Sequence, residues 1–355
     1  MTPEDARLLE RTFELAERGR RTASPNPVVG CVIVRDGELL GEGWHVRPGE
    51  RHAETNALLA CVDGAEGATA YVSLEPCSHH GRQPPCADAL IAAGIARVVC
   101  AAGDPSEKVG GEGFAKLRAA GVEVELAGGE LERRARRQNA AFRVHAVEGR
   151  PFVLLKLAAS LDGRTATATG ESRWISSPES RRLVHEWRAS MDAVAVGSGT
   201  VLADDPALDA RDVDGIVERQ PLRVVFDRRG RLVEGLRLAS GGTVRVAPAG
   251  APAPPDGVER LDAETPAEAL MVLGSRGITS MLVEGGAELA AGLLRAGLVD
   301  AVALFVAPVL LGGDARGLLG TLGVASLGDA PRVRDLRSRP VGPDVLLEGE
   351  LRELP

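Results

Sequence analysis

A histidine, a glutamate two residues later and two cysteines around a proline-rich loop constrain this chain more than any other feature. They are His52 and Glu54 in R-H-A-E-T-N, and Cys77 and Cys86 at the ends of C-S-H-H-G-R-Q-P-P-C. One imidazole and two thiolates supply three tetrahedral ligands and leave a fourth position for water, which is the arrangement of a catalytic rather than a structural zinc. The sequence therefore predicts one zinc ion held by His52, Cys77 and Cys86, with Glu54 left to move protons.

The spacing of the two cysteines departs from the simplest form of such a site. Zinc-dependent deaminases carry H-x-E followed by P-C-x-x-C, and their glutamate is a general acid and base rather than a ligand. Here eight residues separate Cys77 from Cys86, so the loop 78–85 must fold back on itself. The alternative is that both are ordinary buried thiols. That alternative suits Cys31, Cys61 and Cys100, which lie in apolar runs, better than the two cysteines that flank polar, turn-forming residues.

Length and cysteine usage set the broad class. A chain of 355 residues is longer than one typical domain, so we expect two. Five cysteines, an odd number, indicate a reducing compartment. The start M-T-P-E-D is typical of a helix N-terminus rather than of a targeting segment, and no apolar run approaches the roughly 20 residues that span a bilayer. We therefore expect a cytoplasmic protein that does not cross a membrane.

Charge and aromatic content bear on the partner. The net charge is -8, and the chain has one tyrosine, three tryptophans and six phenylalanines. Nucleic-acid binding favours a basic face with aromatic platforms for stacking, and the composition offers neither. The basic run at 133–137 follows Glu130 and Glu132, which is typical of a solvated helix face. A small-molecule substrate is therefore the better expectation.

Helix and strand patterns alternate in both halves of the chain, which predicts the α/β class. In the first half, strands over 28–35 and 38–45 flank the turn signal Asp36-Gly37, and a helix over 53–61 begins at the metal motif. A boundary falls near Pro151, so the predicted domains are 1–148 and 151–355. In the second half, Lys156 is a lone charge in an apolar strand over 152–159, which favours a site because lysine is seldom buried unpaired.

Two turn-like motifs of the second half have alternative interpretations. V-E-G-G-A-E-L over 283–289 predicts a strand, a glycine turn and a helix start, where backbone N–H groups can bind a phosphate. A plain turn fits it equally well. T-V-L-A-D-D-P over 200–206 follows Gly197-Ser198-Gly199, and its simplest interpretation is an Asx-type turn with a helix cap.

Motifs in both halves are similar to those of one enzyme family. The first half carries S-P-N-P-V-V-G, G-W-H, H-A-E and E-P-C-S-H-H-G-R-Q-P-P-C; the second carries K-L-A-A-S-L-D-G-R-T-A, G-E-S-R-W-I-S, T-V-L-A-D-D-P-A-L and V-E-G-G. Over essentially its whole length the chain resembles the bifunctional deaminase-reductases of bacterial riboflavin biosynthesis. In that family the long cysteine spacing is the normal form.

The resemblance implies a fold and two reactions. The fold would be a three-layer cytidine-deaminase-like domain followed by a dihydrofolate-reductase-like domain. A zinc-bound hydroxide would deaminate 2,5-diamino-6-(5-phosphoribosylamino)pyrimidin-4(3H)-one, and NADPH would then reduce the ribosyl group to ribityl. The family also implies a homo-oligomer. Two other hypotheses are a zinc deaminase of nucleic-acid bases with a C-terminal binding module, and a small-molecule-binding protein with a purely structural zinc.

Family similarity assigns roles to residues of the first domain. Glu54 would be catalytic, and Asn26 would hold the pyrimidine. The other substrate-binding residues would be His45, His79, Arg82 and Asp104, the first three at the ribose phosphate end. The family's usual Asp-Pro-Asn is Asp104-Pro105-Ser106 here, which replaces an amide by a shorter hydroxyl.

Family similarity also assigns roles in the second domain. NADPH would contact Ala158, Trp174, Thr200, Asp204, Gly286, Ala287, Glu288, Leu289, Ala290, Ala291 and Gly292. The ribotide would lie near Lys156, Ser172, Arg188, Leu208, Arg211 and Glu284. The guanidinium forks of Arg188 and Arg211 suit a phosphate, and Lys156 and Glu284 are the candidates for the proton donor.

Overall fold

The chain forms two compact units in a computed structural model, which describes residues 1–80, 83–106, 110–215 and 217–355. The first unit is Met1–Gly149 together with Leu354–Pro355, and the second is Arg150–Glu353. The last two residues thus belong to the first unit, whereas the domain predicted from the sequence runs to 355. The predicted α/β class is confirmed in both units.

The first unit is built on a five-stranded sheet in the order β2-β1-β3-β4-β5. Strands β1 and β2 are antiparallel, β1 and β3 are antiparallel, and β3, β4 and β5 are parallel. The strands are β1 Gly30–Arg35, β2 Glu38–Trp44, β3 Thr69–Val72, β4 Arg97–Cys100 and β5 Glu123–Leu126. The helices are α1 Pro3–Glu17, α2 Ala53–Ala60, α3 Cys86–Ala92, α4 Glu112–Ala119, α5 Gly129–Gln138 and α6 Ala140–Glu148.

Alternation along the strands produces three layers. In β1, Cys31 and Ile33 pack into a cluster with residues of α2, α3 and α4, whereas Val32 between them packs with residues of α1 and α5. Successive side chains of a strand point to opposite faces of the sheet, so both faces of this one are covered by helices. The predicted hairpin turn is confirmed, since Asp36 and Gly37 adopt φ of 54° and 82°.

The second unit is built on a nine-stranded sheet in the order β11-β10-β9-β8-β12-β6-β13-β16-β15. The first seven of these strands are parallel, and β16 and β15 are antiparallel to their neighbours. The large sheet contains β6 Phe152–Ser160, β8 Ala193–Gly197, β9 Leu222–Phe226, β10 Thr243–Ala247, β11 Glu259–Asp262, β12 Ser280–Glu284, β13 Ala301–Ala307, β15 Arg334–Val341 and β16 Asp344–Glu350. A separate pair consists of β7 Arg164–Ala166 and β14 Arg316–Gly317, and the helices are α7 Pro178–Ser190, α8 Ser198–Asp204, α9 Pro266–Ser275 and α10 Ala287–Arg295.

The parallel strands set the place of the second site. Val153 and Leu155 of β6 pack with residues of α9 and α10 on one face, and Leu154 packs with Val184 of α7 on the other. With both faces covered, a ligand can reach this sheet at the carboxyl ends of its parallel strands. The segment at 200–206 is mostly helical and not a turn: it forms most of α8, and Asp205, with φ of 41°, caps the C-terminus of that helix.

No helix in the described part of the chain is long and apolar enough to cross a membrane.

Candidate active sites

Three predicted metal ligands come together in the first unit. His52 immediately precedes α2, Cys77 lies in the segment between β3 and α3, and Cys86 is the first residue of α3. The Nδ1 atom of His52 is 3.2 Å from the sulfur of Cys86 and 3.6 Å from that of Cys77. The three ligand atoms all lie within 4.8 Å of one another. The structure therefore gathers residues that are separated by up to 34 positions.

The donor set fits zinc. With Zn–S of about 2.3 Å and Zn–N of about 2.0 Å, the ligand atoms of a tetrahedral ion lie roughly 3.5 to 3.8 Å apart. The two nitrogen–sulfur distances are close to that range. One nitrogen and two sulfurs are ligands that zinc binds readily, and three protein ligands leave a fourth position open.

The loop between the cysteines does fold back, as the long spacing requires. The backbone N–H of Cys86 donates to the sulfur of Cys77 at 3.3 Å, and the N–H of Ala87 donates to the Cys77 carbonyl at 3.1 Å. Hydrogen bonds from Cys86 and His52 lower the pKa of Cys77, whereas the bond to Cys77 and burial raise the pKa of Cys86.

Glu54 lies in the first turn of α2 and is buried, with 3% of its surface exposed. Burial and the nearby Cys77 raise the pKa of Glu54 to about 7. A carboxyl group with such a pKa can take up and release a proton near neutral pH, which is what a general acid and base must do.

A close approach between α2 and β2 places Glu54. A Cβ atom at Gly43 of β2 would lie 2.4 Å from the carbonyl oxygen of Ala53 and 2.4 Å from the nitrogen of Ala57. Only glycine permits that contact, because real Cβ atoms do not approach backbone atoms so closely. The glycine of the G-W-H motif is therefore explained by the position of the helix that begins at the metal site.

His45 has contacts different from those predicted from the sequence. It is buried, its Nδ1 lies 3.2 Å from the carbonyl oxygen of Arg51, and its Nε2 lies 3.0 Å from the side-chain nitrogen of Asn26. The carbonyl can only accept, so Nδ1 donates to it and Nε2 accepts from Asn26. Burial lowers the pKa of His45, which keeps it neutral in this role. Nε2 thus orients Asn26, and the predicted contact of His45 with the ribose phosphate end stays a prediction.

Two other predicted substrate contacts of the first unit are in its described part. His79 is exposed. Asp104 is half-buried, and burial raises its pKa. Its Oδ1 accepts the backbone N–H of Ser106 at 2.8 Å. The predicted residue Arg82 lies outside the described residues.

Glu75 is a buried residue that the sequence did not single out. Its carboxylate accepts backbone N–H groups of Asp104 at 3.1 Å, Gly111 at 3.0 Å, Gly113 at 3.0 Å and Phe114 at 3.3 Å. A buried carboxylate is stable only with such partners. Glu75 lies between strand β3 and Cys77. Its hydrogen bonds therefore hold the segment that carries Asp104 against the part of the chain that leads to this cysteine. The nearest sequence signal is its place in E-P-C, which does not reveal these partners.

A cavity of about 1820 Å³ lies within the second unit, at the carboxyl ends of the parallel strands. This exceeds the roughly 300 to 1000 Å³ of a site for one small ligand, so two ligands fit side by side. Most predicted residues line it: Lys156, Ala158, Ser172, Trp174, Arg188, Thr200, Asp204, Leu208, Arg211, Glu284, Gly286, Ala287, Glu288, Leu289 and Gly292. Ala290 and Ala291 are instead fully buried in α10.

One part of this cavity fits a dinucleotide. Gly285 and Gly286 have φ of 69° and 83° and lead into α10, and a Cβ at Gly286 would lie 3.1 Å from the hydroxyl oxygen of Thr200. Such a glycine turn lets a phosphate approach the backbone N–H groups of a helix start. Arginines that were not among the predicted residues also line this cavity, and they include Arg228, Arg229, Arg231 and Arg237, whose charges suit an anionic cofactor.

Charged residues occupy another part of the wall. Arg188 donates two hydrogen bonds to the carboxylate of Glu284, at 2.5 and 2.9 Å, and a third to the carbonyl of Asp209 at 3.0 Å. Burial opposes ionisation of Glu284, but the charge and hydrogen bonds of Arg188 lower its pKa overall. Lys156 pairs with Glu284 in the β6–β12 register, and burial lowers the pKa of this lysine.

Family models match both units. Residues 2–102 match the cytidine and deoxycytidylate deaminase zinc-binding region, and residues 151–347 match the RibD C-terminal domain.

Whole proteins also align with the chain. The riboflavin biosynthesis protein RibD of Escherichia coli is 46% identical over 366 residues, which cover 97% of this chain and 98% of that protein. RibD of Haemophilus influenzae is 40% identical over 97% of this chain and 96% of that protein. A solved structure of Acinetobacter baumannii RibD has a TM-score of 0.87 at 39% identity and covers 98% of both chains. The deaminase/reductase structure from Thermotoga maritima has a TM-score of 0.86 at 34% identity and likewise covers 98% of both chains.

Replacing Cys86 by serine is expected to weaken zinc binding by more than about a hundredfold, because a neutral hydroxyl is a far poorer zinc ligand than a thiolate. Competition with a coloured chelator and metal analysis after dialysis measure the effect. The matched control is Cys100→Ser, which changes a buried thiol that donates to the Ala102 carbonyl at 3.2 Å outside the cluster. Equal zinc affinity in the two variants would contradict the assigned ligand set.

Proposed function

The chain belongs to the RibD family of riboflavin-biosynthesis enzymes, and we propose from this membership how its two units share the work. It is a bifunctional deaminase and reductase that uses zinc and NADPH. The unit Met1–Gly149 is the hydrolytic deaminase, and the unit Arg150–Glu353 is the reductase. The cluster of His52, Cys77 and Cys86 beside the buried Glu54 is the observation that carries the first assignment.

The first reaction replaces the 2-amino group of the diaminopyrimidinone ribotide by oxygen and releases ammonia. His52, Cys77 and Cys86 hold the zinc, which when bound lowers the pKa of its water toward neutrality. Glu54 accepts the proton of that water and delivers protons to the ring nitrogen and the departing amine. Asn26, whose amide nitrogen is engaged by His45, presents its carbonyl oxygen to an N–H of the pyrimidine.

The Glu54→Gln variant is expected to lose about a thousandfold in the rate of ammonia release, since the amide cannot move protons and general acid–base catalysis contributes about 10² to 10⁴. It should keep its zinc, because Glu54 is not a ligand, and should still oxidise NADPH with the deaminated ribotide. Ammonia release, zinc content and NADPH absorbance are measured on the same preparation.

An exposed glutamate of the same unit provides the control for this prediction. Glu14, with 61% of its side chain exposed, is replaced by glutamine. Wild-type ammonia release is expected in Glu14→Gln. Wild-type release in Glu54→Gln as well would remove the catalytic role and favour a purely structural zinc.

The second reaction reduces the ribosyl group to a ribityl chain. NADPH would supply the hydride for C1' of the sugar in its ring-opened imine form, and the imine nitrogen must then gain a proton from the protein. Glu284 is a poor source of that proton because it is ionised and held by Arg188. Burial lowers the pKa of Lys156, and thereby makes its ammonium proton easier to donate. Lys156 is therefore our choice for the proton donor.

Lys156→Met is expected to lower the rate of NADPH oxidation by about 10² to 10⁴, the usual contribution of a general acid. Ammonia release by the same chain should be unchanged. Lys116→Met, which removes an exposed amine paired with Asp88, is the matched control. NADPH oxidation at the wild-type rate in Lys156→Met would assign the proton to another donor.

Resemblance over both units favours this two-enzyme function over a nucleic-acid deaminase with a C-terminal binding module. The small-molecule pyrimidine ribotide is then the substrate. Action in the cytoplasm is part of the proposal and is supported by the five free cysteines, which suit a reducing compartment. Assembly into a homo-oligomer is the family expectation; sedimentation velocity of the full chain measures it, and a monomer at micromolar concentration would contradict it.

A further inference from the structure

A short segment of the cavity wall, residues 208–211, holds a conformation that its own residues do not favour. Leu208 has φ of 53°, in the left-handed region, and is 2% exposed. Bulky residues seldom adopt this conformation, and it persists only where the surrounding structure enforces it. Leu208 and Arg211 line the cavity at the two ends of the segment.

Three side chains from elsewhere in the unit hold the backbone of this segment. The Nδ1 atom of His185 lies 3.0 Å from the carbonyl oxygen of Asp209, and Arg188 donates to the same oxygen at 3.0 Å. Gln220 accepts the N–H of Ala210 at 2.8 Å and donates to its carbonyl at 2.9 Å. These four hydrogen bonds, which we call the clamp, hold three backbone groups: the carbonyl of Asp209 and the N–H and carbonyl of Ala210.

The hydrogen-bonding roles of this clamp are determined. The Asp209 carbonyl is an acceptor, so the Nδ1 of His185 carries the hydrogen. The side chain of Gln220 accepts the N–H of Ala210 and donates to the carbonyl of the same residue, as the backbone of a neighbouring antiparallel strand would. His185 and Arg188 lie one turn apart on α7, so the segment is tied to a regular helix.

Arg211 is the residue for which this clamp matters most. The guanidinium of Arg188 is already engaged by Glu284 and Asp209, whereas the side chain of Arg211 is 51% exposed and pairs with the carboxylates of Asp209 and Asp212, close by in the chain. Of the two arginines assigned to the ribotide, Arg211 is thus the one that can turn to a phosphate. Its backbone position depends on the two clamped residues that precede it.

We propose that His185 and Gln220 are positioning residues of the reductase site, which hold Asp209 and Ala210 so that Leu208 and Arg211 face the ribotide before it binds. This inference rests on the proposed function, which places Leu208 and Arg211 against that substrate. A preformed segment spares the substrate the entropy loss of ordering it. Loss of the clamp should therefore weaken ribotide binding more than it slows hydride transfer.

The test compares reductase kinetics of His185→Leu, His185→Asn and Gln220→Leu in the full chain. Each leucine variant is expected to raise the KM for the deaminated ribotide about fivefold to tenfold, the effect of losing roughly 1 kcal/mol of hydrogen bonding, with kcat changed less than about twofold. Asparagine places a nitrogen near the former Nδ1 and is expected to restore most of the KM. The affinity for NADPH should be unchanged in all three.

Two further variants serve as the negative and the positive control for this comparison. Ser190→Ala removes a hydrogen bond of α7 that stays within the helix, 2.9 Å from its hydroxyl to the Trp187 carbonyl, and should leave the KM unchanged. Arg211→Ala should raise the KM at least as much as the leucine variants. A KM that stays at the wild-type value in both leucine variants overturns the inference, as does an equal rise in His185→Leu and His185→Asn.

Amide hydrogen exchange separates this inference from the proposed function. The N–H of Ala210 is bonded to Gln220, so Gln220→Leu is expected to accelerate its exchange at least about tenfold, whatever the enzyme catalyses. Unchanged exchange overturns the clamp. Faster exchange with an unchanged KM overturns its positioning role. A wild-type chain that exchanges Ala210 slowly but does not oxidise NADPH with the ribotide overturns the proposed function instead.

Discussion

The carboxyl group of Glu54 is buried in the first turn of α2, and it stays there because the backbone of that helix packs directly against strand β2. Gly43 leaves space for the backbone of Ala53 and Ala57. The same contact fixes His52, which precedes the helix, and so fixes one of the three metal ligands relative to the sheet. A larger residue at Gly43 would displace Glu54, which is both general acid and general base, together with the metal ligand His52. The deaminase chemistry therefore depends first on a backbone contact.

Three buried carboxylates show how environment separates roles. Glu54 has burial and a neighbouring thiolate, which raise its pKa to about 7 and make it a proton carrier. Glu75 accepts four backbone N–H groups and is a structural anchor. Glu284 is held by Arg188, which keeps it ionised. The same functional group thus serves catalysis, loop anchoring or charge pairing according to the donors that surround it.

The sequence predicts local features well and distant contacts poorly. The Asp36-Gly37 turn and the helix that begins at residue 53 follow from residues that are adjacent in the chain, and both are confirmed. The partners of Glu75, His45 and Gln220 depend on which loops the fold brings together, and no periodicity shows that. The sequence favours an Asx-type turn over 200–206, whereas most of this segment belongs to helix α8, because the apolar Val201 can bury against the sheet.

The phosphate group of the ribotide takes no part in either reaction, yet both sites must bind it. Binding energy from a remote, unreactive group can be used to orient the atoms that do react. The chain has a net charge of -8, so its overall field does not attract a phosphate, and recognition must come from local cations. In the reductase unit Arg188 is engaged by Glu284 and Asp209, so Arg211 is the better candidate of the two arginines that we assign to the ribotide. A cation on a loop is selective only if the loop is held in place, and the backbone bonds from His185 and Gln220 meet that requirement.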